Sequence, residues 1–261
     1  MAKMSETLLE ARLGQFDSIS LEEMGKVKLM NRVDTKYLTT FPTLLKLLEL
    51  ASADYYVQEI GGKRNMPYAT CYYDTEGCFM YHEHQRGRKT RQKVRIREYV
   101  GSDAKFLEVK SKNNKGRTKK KRVALGPDNS ALRTNDEFLS RHTPWTSLHL
   151  LPRLQNSFKR ITLVNRNMTE RLTIDTSLCF HNMSTDLDRS LEGLVIIELK
   201  RDGLTPSPIL GLLNRLRIKP HGFSKYCMGM AFTDSGLRQN RLKERLRNAD
   251  RLCREARAEL S

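Results

Sequence analysis

The stretch KVRIREYVGSDAKFLEVKSK, residues 93–112, reads as two β-strands joined by a short turn. Side chains alternate across a strand, so residues two apart share a face. One face of the first strand carries Lys93, Arg95, Arg97 and Tyr99, while Val94 and Ile96 point the other way. In the second strand Glu108 and Lys110 share a face, and Leu107 and Val109 oppose it. Such a hairpin has one face for an apolar layer and one face of cations with a carboxylate set among them.

The same device recurs outward along the chain. Asp34 and Lys36 share a side of VDTKY, Arg160, Thr162, Val164 and Arg166 a side of FKRITLVNR, and Ile196, Glu198 and Lys200 a side of VIIELK. For one strand, a polar side facing water is explanation enough. Five strands that repeat Arg and Lys with a single acid, instead of the Thr, Ser and Gln of a solvated face, favour enclosure. If the sheet closes into a barrel, those sides line its interior. A cation-lined lumen repels itself when empty and is relieved by a polyanion, because desolvated charge-assisted hydrogen bonds to phosphate are strong. Carboxylates among the cations then have a use: their oxygens hold Mg²⁺ or Mn²⁺, which bridges to phosphate oxygens.

The remaining elements frame these strands. A helix is expected over Ser5–Leu13 with Ser5 as its cap, and Ser20 with Glu23 fits a capping box. RVDTKYLTT reads as a strand and FPTLLKLLELAS as a helix with Leu44, Leu45, Leu47 and Leu48 on one broad stripe. ATCYYDT and GCFMYHEHQ read as strands around a Glu76-Gly77 turn. NNKGRTKKKRVAL supplies a turn and a third strand after the opening hairpin; residues 127–158 are mixed and partly helical. FKRITLVNRNM, ERLTIDTSLCFHN and LEGLVIIELKRD are further strands. PSPILGLLNRLRI, with prolines at its start, and SKYCMGMAF are helical, and residues 237–260 form a long basic helix. The fold class expected is α+β: an eight-stranded antiparallel β tunnel or barrel with flanking helices at both ends. The expected division is an N-terminal helix (1–15), one tunnel domain (16–235) and a basic C-terminal helix (236–261).

Composition narrows the function. Lys and Arg number 47 against 30 Asp and Glu, a formal charge of +17, which predicts a polyanionic partner. Hydrophobic residues are 38%, lean for this length but above the range of disorder. No segment reaches the roughly 20 consecutive apolar residues of a membrane span, and MAKMSETLLEARLG lacks the features of a secretion signal. Cys71, Cys78, Cys179, Cys227 and Cys253 show no CxxC spacing, which argues against a disulfide framework or zinc site and for a reducing cytoplasm. GxxxxGK[ST] is absent, which argues against a Walker-type phosphate site.

Seven segments together resemble the catalytic domain of the vacuolar transporter chaperone (VTC) family, in the CYTH-like triphosphate tunnel metalloenzyme superfamily. They are NRVDTKY (31–37), YYDT (72–75), RQKVRIREY (91–99), FLEVKSK (106–112), ERLTIDT (170–176), VIIELK (195–200) and GFSKY (222–226). The compact bacterial stand-alone form is the nearest in kind. The resemblance implies an eight-stranded tunnel that binds triphosphate with Mn²⁺ or Mg²⁺, and polymerisation of inorganic polyphosphate from ATP. Carried over by motif, Arg95, Arg97, Lys110, Arg166 and Lys225 act catalytically on the phosphates, with Lys36 and Ser224 in phosphate binding. Lys93, Lys200 and Arg91 are weaker phosphate candidates. Glu198 is the implied metal ligand, and Glu108 is either a second one or an ion-pair partner of the arginines. Three departures stand out. Asp34-Thr35-Lys36 keeps only the lysine of the superfamily's Glu-x-Glu-x-Lys strand, as the VTC branch does. With Arg166 as the strand arginine, the tyrosine that VTC polymerases can carry two residues earlier is Val164. A lysine two residues before Ser-Lys is Gly222 here.

Two other readings compete. A hydrolase of the same fold would pass the phosphoryl group to water, as a tripolyphosphatase or nucleoside triphosphatase. A non-catalytic polyanion-binding module would use KSKNNKGRTKKKR and the terminal helix, but its charged strands lack the interleaved aromatics of a nucleic-acid stacking platform. KKKR is the kind of run that forms a solvated hairpin face, with some alternate residues lining the tunnel. His82 and His84 share a face of their expected strand, where a surface or hydrogen-bonded pair is simpler than a metal site. The expected partners are ATP and inorganic polyphosphate; a membrane-protein partner that draws product away is left open.

Overall fold

The computed structural model describes residues 2–25, 27, 32–126, 131–203 and 205–260; Asn31, the first residue of NRVDTKY, lies outside them. Among the described residues the strands are β1 (Asp17–Ile19), β2 (Arg32–Thr40), β3 (Tyr55–Gln58), β4 (Met66–Asp74), β5 (Arg91–Tyr99), β6 (Lys105–Lys112), β7 (Thr118–Leu125), β8 (Leu151–Asn165), β9 (Glu170–Asn182), β10 (Leu187–Leu191) and β11 (Leu194–Asp202). The helices are α1 (Ala2–Leu13), α2 (Leu21–Met24), α3 (Phe41–Ala51), α4 (Phe79–Gln85), α5 (Asp136–His142), α6 (Pro208–Arg215), α7 (Lys225–Thr233) and α8 (Lys243–Leu260).

Eight strands make one continuous path, β2-β11-β9-β8-β4-β5-β6-β7, and every pairing along it is antiparallel. β10 extends β9, β3 extends β8, and β1 lies parallel to β3. The α+β class and the eight-strand path agree with the sequence pattern. The ladder is open between β2 and β7 among the described residues. Part of the free edge of β2 is occupied by the chain before α7, where the His221 amide donates to the Lys36 carbonyl at 2.7 Å.

The sheet is curled, and its outer side carries two apolar layers. Val195, Ile197, Leu199, Ile161, Leu163, Leu172 and Ile174 pack under Leu44, Leu47 and Leu48 of α3 and Ile209 and Leu213 of α6. Val94, Leu107 and Val109 pack with Met80 of α4 and Leu139 of α5. Burying each such side chain contributes about 1.5–3 kcal/mol. The aliphatic half of the opening hairpin therefore faces helices, and its cationic half faces inward.

One end of the interior is filled. Leu38, Ile196, Leu154, Phe158 and Phe180 enclose α7, whose residues from Tyr226 to Ala231 are all buried. Gly229 permits this approach, because a Cβ there would stand 2.5 Å from Leu154 and 2.6 Å from Phe180.

Four expectations change. The basic helix expected over 237–260 begins at Lys243. Residues 79–85 are a helix, not a strand. Asp74 and Thr75 accept the first free amides of α4, from Met80, Tyr81 and Phe79, so the Glu76-Gly77 turn starts a helix. His82 and His84 thus do not share a strand face. The strand expected from Phe158 begins earlier, at Leu151, after α5 and a short 3₁₀ turn. α1 begins before Ser5, so Ser5 is not its cap. The Ser20–Glu23 capping box is present, with hydrogen bonds of 2.9 and 3.1 Å. No described helix is long and apolar enough to cross a membrane.

Candidate functional site

Residues paired directly across an antiparallel ladder point to the same side. Starting from Arg95, the register runs to Tyr72 on β4 and to Glu108 on β6, then to Arg122 on β7. Starting from Lys93 it runs through Lys110 to Lys120. From Lys36 it runs through Glu198 to Thr173, and Arg160 stands opposite Asp175. All these side chains lie on the inner side of the curl.

The two ends of the sheet meet across the interior. Lys110 belongs to β6 and Glu198 to β11, far apart along the path, yet Glu198 raises and Lys36 lowers the proton affinity of the Lys110 ammonium. Desolvation by the surrounding walls is the dominant influence and lowers it, although the Lys110 side chain keeps access to solvent. Lys200 and Lys225 are brought to about 8, first by burial, against the attraction of Glu198 and Asp175 respectively. The Lys93 ammonium is also pushed down by burial, and Arg95, Arg91 and Lys36 add to this. Desolvation and like-charge crowding act together here, the conditions an anionic ligand reverses.

Three carboxylates partly neutralise the crowd. Glu108 is wholly buried and accepts from Arg95 Nε at 2.8 Å and Nη2 at 2.6 Å; Lys120 Nζ lies at 3.1 Å and Arg97 Nη2 at 3.8 Å. Burial would raise its carboxyl, but Arg95, Arg97 and Lys120 outweigh that and hold it at about 2. Asp175 is held bidentately by Arg160 at 2.6 and 2.8 Å and also by Lys225. These cations overcome burial and keep its carboxyl well below the carboxylate range. Glu198 faces Lys36 at 3.0 Å and Lys200 at 3.9 Å and is likewise held low against burial.

α7 aims its N-terminus into this space. Ser224 caps it, accepting from the Cys227 amide at 3.2 Å, and also accepts from Lys93 Nζ at 2.7 Å. Lys225 lies with its ammonium 4.2 Å from the Phe158 ring centre. The free amides and dipole of a helix start favour an anion there.

Lys36, Lys93, Arg95, Arg97, Lys110, Lys200, Lys225, Ser224, Glu108 and Glu198 are thus brought together. Arg166 is not. β8 ends at Asn165, whose side chain accepts from the Thr169 and Glu170 amides to start a turn. Arg166 then points outward, pairs with Asp17 at 2.7 Å, donates to the Ala53 carbonyl and lies over the Tyr56 ring. The arginine that β8 contributes inside is Arg160, and the residue two before it is the aromatic Phe158, not Val164. Lys120, Arg122 and Asp175 complete the lining, while Lys119 and Lys121 face outward and are exposed. The alternation within FKRITLVNR contained Arg160; what misled was extending it past the strand's end.

The donor set fits one divalent cation beside phosphates. Glu198 offers oxygen in a cation-lined space, and Mg²⁺ or Mn²⁺ is commonly held by one or two carboxylates together with substrate phosphates. Glu108 fits less well, because Arg95 and Lys120 meet its two oxygens at 2.6–3.1 Å, whereas Glu198 has one close partner, Lys36 at 3.0 Å, and Lys200 only at 3.9 Å. No cluster of three or more His, Cys, Asp or Glu able to hold a metal unaided occurs among the described residues.

A family model of the VTC domain matches residues 31–233. No match is found among curated proteins. Among solved structures, the chain is similar to a putative adenylate cyclase from Bacillus halodurans, with 14% identity, TM-score 0.45, and coverage of 75% of this chain and 96% of that one. A putative adenylyl cyclase from Hippeastrum, described as having a dominant triphosphatase activity, gives 13% identity, TM-score 0.44, and coverage of 78% and 97%. The PH1012 protein of Pyrococcus horikoshii gives 10% identity, TM-score 0.41, and coverage of 75% and 98%.

Proposed function

The chain belongs to the VTC domain family, and from that premise we propose that it is a polyphosphate polymerase. It would transfer the γ-phosphoryl group of ATP to the end of an inorganic polyphosphate chain. The observation that carries this reading is the convergence of Lys36, Lys93, Lys110, Lys200, Lys225, Arg95, Arg97 and Arg160 on the inner side of the curled sheet around Glu198.

Phosphoryl transfer asks little covalent chemistry of a protein; alignment and charge neutralisation supply most of the rate. Arg95 is held by Glu108 and Arg160 by Asp175, so their forks are oriented before substrate arrives, while Arg97, 3.8 Å from Glu108 with its buried Nε unpartnered, has donors left for phosphate. Lys225, Ser224 and the start of α7 receive phosphate oxygens, and Lys36, Lys93, Lys110 and Lys200 surround the chain. A terminal oxygen of the acceptor chain attacks the γ-phosphorus in line. The bond from γ-phosphorus to the β,γ-bridging oxygen breaks, and ADP leaves carrying that oxygen. A divalent ion held by Glu198 would neutralise non-bridging oxygens. No residue need be a nucleophile, consistent with an interior rich in Lys and Arg.

The test is incubation of wild type, Glu198→Ala and Arg95→Ala with ATP and Mn²⁺. Long chains on a gel from wild type, lost in both variants, support the proposal. Release of free phosphate alone would replace it with hydrolysis at the same site. Neither product would remove catalysis and leave a binding role.

A further inference from the structure

The positive lining continues past the residues matched to the family. α8 begins at Lys243, beyond residue 233, and is firmly seated. Ala249, Leu252, Cys253 and Ala256 are buried, and Arg189 Nη2 meets Asp250 at 2.6 Å. At the turn between β10 and β11, Gly193 has φ +77°, and a Cβ there would stand 2.4 Å from that of Ala256.

The first turn of α8 is thereby held against the segment leading into α7. The Arg245 guanidinium carbon is 3.6 Å from where a Cβ on Gly222 would stand. Two residues on, Ser224 bonds Lys93 inside the tunnel. Lys93 shares its inner face with Arg91, the first residue of β5, and Arg91 stands opposite Lys112, the last residue of β6. His84 on α4 senses the whole group: its imidazole is driven down to about 2, first by burial and then by Lys93, Arg91, Arg245 and Lys112. The nearby acids do not neutralise it. Glu83 is paired with Arg86 and Arg88, and Glu244 acts on His221. Neither Arg245 nor Lys112 forms an ion pair among the described residues.

We propose that Arg245, with Arg91 and Lys112, forms a second anion subsite at the tunnel end where β5 begins, binding phosphates of a linear polyphosphate beyond those gripped inside. The subsite rests on the phosphate-chain reading above. β5 from Arg91 to Arg97 extends about 20 Å, so an anion touching both ends is a chain, not a single triphosphate. A partly buried arginine beside other cations and with no counter-ion is well suited to charge-assisted hydrogen bonds with a polyanion, and α8 is what places it there.

The experiment compares binding of tripolyphosphate and of long-chain polyphosphate to wild type, Arg245→Gln and Arg251→Gln. Arg251 is an exposed α8 residue paired with Glu255 and Asn248, and it controls for overall charge. Arg245→Gln is expected to lose about tenfold in long-chain affinity, the scale of one hydrogen bond to a charged group. Its tripolyphosphate affinity is expected to match wild type, and Arg251→Gln to leave both unchanged. Equal losses for both ligands, or none, overturn the subsite. Arg245→Lys checks for a folding defect, because it restores the charge and should recover most of the long-chain affinity; failure to do so counts against the proposal. A wild type that binds tripolyphosphate but holds the long chain no tighter refutes the subsite alone. A wild type that binds neither refutes the proposed function as well.

Discussion

Glu108→Gln is the most informative single perturbation of the empty tunnel. The wild-type carboxylate is wholly buried and takes hydrogen bonds or ion pairs from Arg95, Arg97 and Lys120. Its carboxyl is held at about 2 against an ordinary value of about 4.3. At about 1.4 kcal/mol per pH unit, that difference corresponds to roughly 3 kcal/mol of folding stability at neutral pH. The cost of breaking a buried pair, about 3–5 kcal/mol, is of the same size. The sign follows from protons bound: between about pH 4.3 and 2 the unfolded carboxyl is protonated and the folded one is not. The contribution is therefore complete above about 4.3 and disappears as pH falls through 2. Glutamine keeps the shape and removes the charge, so the ligand-free variant should melt about 6–12 °C below wild type at pH 7. Tripolyphosphate should then stabilise the variant more than wild type, because Arg95 and Arg97 have lost their internal counter-ion and the ligand replaces it. Differential scanning calorimetry with and without tripolyphosphate measures both effects. A variant as stable as wild type, or one whose ligand-induced shift is no larger, would refute the claim that Glu108 neutralises a phosphate-binding interior.

Four further outcomes are expected. Glu198→Gln should retain tripolyphosphate binding in calorimetry but lose Mn²⁺-dependent turnover of ATP by on the order of a hundredfold, as judged by ADP release. Arg160→Gln should weaken tripolyphosphate binding at least tenfold, whereas Arg166→Gln should leave it unchanged in the same titration. With the folded ammonium groups of Lys200 and Lys225 near 8 and their unfolded values near 10.4, the unfolded chain binds more protons from about pH 8 to 10. The ligand-free protein should therefore gain stability from these groups across that window while its tripolyphosphate affinity falls, a divergence that chemical denaturation and binding isotherms at stepped pH would reveal. Gly229→Ala should drive a methyl group into Leu154 and Phe180 and cost about 1–3 kcal/mol in urea unfolding.

Much of the tunnel was legible because period-two alternation is a strong local signal. KVRIREY and FLEVK present cations inward and aliphatics outward as their spacing predicts, and their partners in the ladder continue the pattern. The signal fails where a strand stops. Arg166 continues the alternation of Arg160, Thr162 and Val164 on paper, but the Asn165 side chain captures two amides and turns the chain. It also fails where a side chain starts a helix at a distance. GCFMYHEHQ has strand-like alternation, yet Asp74, three residues before the segment, receives the Met80 and Tyr81 amides. The contribution of Arg245 was invisible for a third reason. Its significance lies in its place beside Gly222, 23 positions earlier in the numbering, and no local pattern encodes such a proximity.

The internal carboxylates bear on how such a tunnel could pass a chain along. Empty, a lumen lined by Lys and Arg alone would be strongly self-repelling; Glu108 and Asp175 hold the arginines in place and neutralise part of the charge. A phosphate that enters must compete with them for Arg95 and Arg160, so each contact returns less than a naked arginine would give. Several moderate contacts suit a ligand that must bind in many registers and advance by one phosphate per turnover. A single very tight contact would arrest it. On this argument, replacing Asp175 by Asn should tighten product binding and slow turnover together, with affinity and ADP release moving in opposite directions. If Asp175→Asn weakened binding instead, the aspartate would be an organiser of Arg160 and Lys225, and its role as a competitor of phosphate would be wrong.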